Sequence, residues 1–225
     1  MINNWKLGFK ILRHGYGLVM SIIQGIAFSL FGGLFLFLQI STNNFRGGIP
    51  GQVVFLCIGM LPVQMLYSLS VSNLILTSPV RKKLQTSVPA VLAWSCVTFL
   101  YLVVALVRAV MAWNLPEIRS SVCSELVLLG LVAMAMMLYL GSAYKYFVLS
   151  LLFLFPIIFI SVNMGMPVEL NWTVFNQGKA SLILAAAIGL ACIGVGAIGE
   201  YLISLLVYKR PMSKMAQAAP LRKEL

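Results

Sequence analysis

The sequence predicts an all-α, polytopic membrane protein with six transmembrane helices and both termini cytoplasmic. Three observations carry that prediction. The chain has 225 residues, 61% hydrophobic and 9% charged, so it could bury a domain-sized core but has too little polar surface to cover one in water. Its apolar residues gather into six runs, several reaching the about 20 residues that a helix needs to cross a bilayer. Its positive charge lies on alternate segments between those runs, the bias that orients membrane proteins.

Residues 1–17, MINNWKLGFKILRHGYG, set Trp5, Phe9 and Leu12 at helical spacing, with Lys6, Lys10 and Arg13 on the opposite side. This pattern fits an amphipathic elbow helix in the inner headgroup layer, with Trp5 at the boundary and the bases near anionic lipid. It fits equally an ordinary positive flank of the first span. Gly15 and Gly17 let the chain turn from the membrane plane into the first run, residues 18–40. That run is too long for the core of a signal peptide and no small-residue cleavage site follows it, so it is expected to remain as an anchor. The next connection, STNNFRGGIPG, consists of turn formers and is too short to be a domain.

The second run covers residues 53–77 and the third residues 88–113. Between them Pro79 and Pro89 bracket a stretch that can form a short helix, about 78–88, carrying Arg81, Lys82 and Lys83. As a loop it is a positive-inside anchor; as a helix across the membrane face it turns Leu84 and Val88 to the bundle and Arg81 and Gln85 outward, ready for a cytosolic partner. Both readings remain open. The fourth and fifth runs, 126–141 and 147–164, are short, and Pro156 interrupts the fifth, but neighbouring helices re-satisfy a broken turn within a membrane. The connections 114–124 and 167–179 are short too, and Trp113 and Trp172 mark interfaces there. Asn171-Trp172-Thr173 matches a glycosylation sequon and is read as coincidence. The sixth run, 181–208, is rich in Ala and Gly, and Gly189, Ala191 and Gly194 offer small steps for close packing, within the chain in preference to a second copy.

A net charge of +11 raises the question of nucleic acid, and its placement answers against it. With the N-terminus inside, twelve of the sixteen bases fall on inner segments, including Lys145 and the basic tail 209–225, whereas Arg46, Arg119 and Lys179 fall outside with Glu117, Glu125 and Glu169. The four cysteines are scattered without paired spacing, three of them inside runs, and read as small apolar residues.

Two ionisable residues lie within apolar runs, where each is a functional hypothesis by default. Arg108 is near the outer end of the third run; snorkelling, or pairing with Glu117 or Glu125, is preferred over substrate contact. Glu200 lies about two turns inside Lys209 with Tyr201 and Ser204 nearby, and an interfacial salt bridge or cap is preferred over a proton relay. His14, the sole histidine, has no acid near it in sequence to orient a general base and reads as a headgroup-level residue. No GxxxxGK[ST] loop, HExxH or paired cytosolic carboxylate occurs, so no catalytic site, metal site or cofactor is expected in this chain.

The order of these features resembles the permeases of the ATP-binding cassette (ABC) type-2 exporters. The resemblance covers the whole chain: six spans, an elbow, a short basic helix between spans two and three, and a last span running into EYLISLLVYKRPMSK. It looks closest to the small bacterial permeases without a fused ATPase, whose last span ends in a tail like Ser204, Tyr208, Lys209 and Arg210. The resemblance implies a half-transporter in the inner or plasma membrane, paired with a second permease copy or a paralogue. Two cytosolic ABC ATPase subunits, holding ATP and Mg, would drive it. Pro79, Arg81, Lys82, Lys83, Leu84 and Gln85 would then form the coupling helix, and the substrate would be amphipathic: a peptide, lipid or drug. Two other classes stay open. An ion-coupled secondary carrier would show broken spans and inverted repeats, and no convincing internal repeat is present. A non-transporting immunity or assembly subunit would need neither.

Overall fold

A computed structural model of the chain describes residues 18–41, 50–70, 79–114, 118–143, 145–146, 150, 152–153 and 180–210. Among them lie six helices: α1 Leu18–Ser41, α2 Pro50–Ser70, α3 Arg81–Gln85, α4 Ser87–Asn114, α5 Arg119–Ala143 and α6 Ala180–Tyr208. The predicted elbow with Trp5, Lys6, Lys10 and Arg13, nearly all of the fifth run, and the tail beyond Arg210 lie outside the described residues.

Three helical stretches, Arg81–Trp113, Arg119–Ala143 and Ser181–Tyr208, are long and apolar enough to cross a membrane. Shorter apolar stretches, Ile22–Leu34 and Gly51–Tyr67, lie in α1 and α2. The surface supports the same reading: Ile183 is 75% and Leu206 73% exposed, while Arg108 is only 2% exposed. Apolar side chains outside and charged ones inside is an arrangement for lipid, where turning Ile or Leu outward costs nothing. The fold is that of a helical membrane protein.

The fourth predicted run starts too late. Its helix begins at Arg119, well before residue 126, and takes in Ser120, Ser121, Cys123, Ser124 and Glu125. The serines are tolerated because their hydroxyls bond back to the helix: Ser124 Oγ donates to Ser121 O at 2.8 Å. Cys123 and Glu125, placed outside by the sequence reading, are buried within α5. With 25 residues α5 is about 37 Å long at about 1.5 Å per residue, enough for the about 30 Å hydrocarbon layer.

The helices pack at their small residues. A Cβ added to Gly130 of α5 would lie 2.5 Å from Gly189 Cα of α6, and one added to Gly196 would lie 2.9 Å from Met134 Cα. Fully buried Tyr101 of α4 wedges into this crossing, its hydroxyl between Leu126 O at 3.2 Å and Ala186 O at 3.4 Å. A methyl on Gly189 would collide with that hydroxyl. Packing within the chain therefore accounts for Gly189 and Gly196. Gly194, which the sequence reading grouped with Gly189, has no neighbour within 4 Å of its added Cβ.

Candidate functional site

Three polar constellations stand out among the described residues: two occupy opposite ends of the bundle and the third lies between them. The first surrounds α3. This helix has five residues and no side-chain cap at its N-terminus, so its stability comes from its surroundings. Leu84 and Gln85 are buried, as is Val88 in the first turn of α4, and α3 packs against α2, α4 and α6. Its last carbonyls are taken by Thr86 Oγ1, which donates to Lys82 O at 2.6 Å, and by Ser87 Oγ, which donates to Lys83 O at 3.4 Å. Pro89 falls in the first turn of α4, where its missing N–H costs little.

The side chains of α3 divide sharply. Pro79, Lys82 and Lys83 are exposed. Arg81 is partly covered and lays its guanidinium 5.7 Å from the centre of the Tyr208 ring at the end of α6. Gln85 corrects the sequence reading: expected to point outward, it is 0% exposed. A five-residue helix closing directly into α4 turns both Leu84 and Gln85 to the bundle, a detail that helical spacing around a longer element would not show.

Lys145, just beyond α5, completes this end. Its Nζ donates to Val207 O at 2.9 Å, Tyr208 O at 2.9 Å and Arg210 O at 3.0 Å, so its three donors close the C-terminus of α6. Its ammonium also lies 5.7 Å from the Tyr208 ring centre, so Tyr208 is shared between Arg81 and Lys145. Burial, reinforced by the charge of Arg81, draws the Lys145 ammonium down to about 8. With Lys82, Lys83, Lys209 and Arg210, six of the eight described bases gather here.

Two buried carboxyls form the rest. Near the opposite end, Arg108 Nη2 lies 3.4 Å from Glu125 Oε2, linking α4 to α5. With the Gln52 amide turned so that its oxygen faces the guanidinium, it accepts from Arg108 Nε at 2.6 Å and brings in α2. Arg108 thus pairs with Glu125 and does not snorkel. Glu200 of α6 is 0% exposed. Tyr67 of α2 donates to its Oε1 at 3.1 Å, and Ser204 Oγ lies 2.9 Å from the same Tyr67 oxygen. Oε2 has no hydrogen-bond partner among the described residues. The expected interfacial salt bridge or cap is not what Glu200 makes; it is too deep, and its partner is a phenol from another helix.

Sequence reasoning singled out Arg81, Lys82, Lys83, Arg108 and Glu200 but gave no role to Gln52, Tyr67 or Lys145. Polar residues near run ends were the available signal, and it could not say which of them meet. Among the described residues no group of three or more His, Cys, Asp or Glu could hold a metal, and the four cysteines are free. No protein-family model, no curated protein and no solved structure matches the chain.

Proposed function

We propose that this chain is the transmembrane permease subunit of an exporter driven by a separate cytosolic ATPase that docks on α3. The observation that carries the reading is the division of α3. Lys82 and Lys83 are presented to solvent, while Leu84 and Gln85 lock the helix into the bundle and Arg81 ties it to the end of α6. A partner pressing on such a helix moves α2, α4 and α6 together, which is what mechanical coupling requires. The gathering of bases at this end favours a cytoplasmic α3, with both termini on the same side. On this reading the bundle has six spans, two permease copies form the pathway, ATP and Mg sit in the partner, and an amphipathic peptide, lipid or drug leaves through an apolar lateral route.

Reversing both exposed lysines, Lys82→Glu with Lys83→Glu, tests the docking without touching the Arg81 contact. Co-purification with a co-expressed cytosolic ABC ATPase subunit that binds the unmodified chain is expected to weaken on the order of tenfold or more, because like charges then face the partner site. Complex formation and stimulated ATP hydrolysis at the unmodified level would sink the proposal.

A second reading, an ion-coupled carrier, draws on Glu200, an intramembrane carboxyl shared between two helices. Transport by the purified chain alone, on an ion gradient and without ATP, would favour it over the first.

A further inference from the structure

We propose that Glu200 is a proton-binding site, with Tyr67 and Ser204 as its built partners. The inference does not rest on the ATPase reading. The site is assembled from two helices: Tyr67 Oη of α2 reaches Glu200 Oε1 at 3.1 Å and Ser204 Oγ at 2.9 Å. No water-facing surface remains on Glu200, and α5 closes the adjoining side, since a Cβ on Gly141 would lie 3.1 Å from Glu200 Cγ and 3.2 Å from Glu200 Cα.

The charges around the site decide what it holds. From α2 the titratable group facing it is Tyr67; from α5 the neighbour is Gly141; on α6 itself Ser204 and then Tyr208 follow, with Arg81 of α3 and Lys145 gathered about the Tyr208 ring. None of these bases pairs with Glu200. A bare carboxylate in such a place would rely on one neutral phenol, which does not offset the loss of water around a full charge. A dehydrated divalent cation needs about six or more oxygens, whereas among the described residues the cluster provides the carboxyl, one phenol and one serine hydroxyl. A proton needs only one oxygen. Bound on Oε2, it makes the group a neutral acid, leaves Oε1 as the carbonyl that accepts from Tyr67, and replaces an orphaned anionic oxygen by a hydroxyl.

The site also has a connection to one end of the bundle. Glu200, Ser204 and Tyr208 recur every four residues and so share one face of α6, with Glu200 about 12 Å from Tyr208 along the axis. Tyr67 bridges the first two. Proton exchange is thus expected from the α3 end, past Tyr208 and Lys145.

Infrared spectroscopy of the purified full chain in lipid nanodiscs tests this. The chain has only five acidic residues, all glutamates, so a carboxylic-acid carbonyl band is assignable. At neutral pH that band is expected in the native protein and in Glu125→Gln, is lost in Glu200→Gln, and moves to higher frequency in Tyr67→Phe, which removes the hydrogen bond to Oε1. Identical spectra for the native protein and Glu200→Gln overturn the proposal, as does loss of the native band when sodium replaces choline at neutral pH. If Glu200→Gln fails to elute as a single folded species, two measurements carry the test: the Tyr67→Phe shift, and loss of the native band on strong alkalinisation. A band that moves in neither overturns the assignment equally.

Discussion

At the residue scale the informative side chains are charged groups taken out of water and given partners from another helix. Arg108 and Glu125 face each other inside the bundle at 3.4 Å. Replacing such a pair as a whole is far milder than removing one member. Glu125→Ala, which strips the carboxylate from beside the buried guanidinium, is expected to lower stability by about 3–5 kcal/mol; Arg108→Met combined with Glu125→Leu should restore most of the loss. Thermal unfolding in detergent reads both. Lys145 gives a pH-dependent counterpart. In the folded protein its ammonium gives up its proton near pH 8, whereas the unfolded chain keeps it up to the ordinary value of 10.5. Between those values the unfolded state binds more protons, so stability is expected to rise with pH above about 8. The rise should be missing from Lys145→Met, and a thermal-melt series across that window checks it.

At the element scale, helix packing is set by where glycine meets backbone. Ala and Gly fill α6, yet its glycines are not equivalent. Gly189 abuts Tyr101 and the Gly130 backbone, Gly196 abuts Met134, and Gly194 has open space. Gly130→Ala and Gly189→Ala are each expected to destabilise the bundle by about 1–3 kcal/mol by pushing α5 and α6 apart. Gly194→Ala should be neutral or stabilising by up to about 1 kcal/mol, since it only removes backbone freedom. Unfolding of the three variants side by side makes the comparison. The short helix α3 follows a related logic. Five residues cannot hold a helix alone, so its geometry comes from Leu84, Gln85 and Val88 inside the bundle and from Arg81 on Tyr208.

At the scale of the whole molecule, charge divides the bundle. Six described bases sit at the α3 end, and the other two, Arg108 and Arg119, lie toward the opposite end. The basic end is cross-tied: Arg81 and Lys145 share Tyr208, and Lys145 closes α6. A surface tied to several helices at once transmits a push, and this is why the proposed partner is placed there. The acid Glu200 lies about two turns further in, linked through Tyr67 to α2.

What the sequence determined by itself follows from composition and order along the chain. An excess of apolar residues in long runs leaves lipid as the only compatible solvent, and the approximate bounds of α1, α4 and α6 follow from run length. The Pro-bounded basic stretch between residues 79 and 89 left a loop and a short helix equally open, and the helix Arg81–Gln85 is what forms. Only the tertiary structure decided which polar residues meet. Gln85 turns inward, Glu125 lies within α5 and pairs with Arg108 of α4, and Glu200 finds Tyr67 more than a hundred residues away. The physical reason is that hydropathy averages over neighbours in sequence, whereas desolvation acts on single atoms. In a low-dielectric interior each buried polar atom needs a partner, and the partner comes from whichever helix the fold brings alongside.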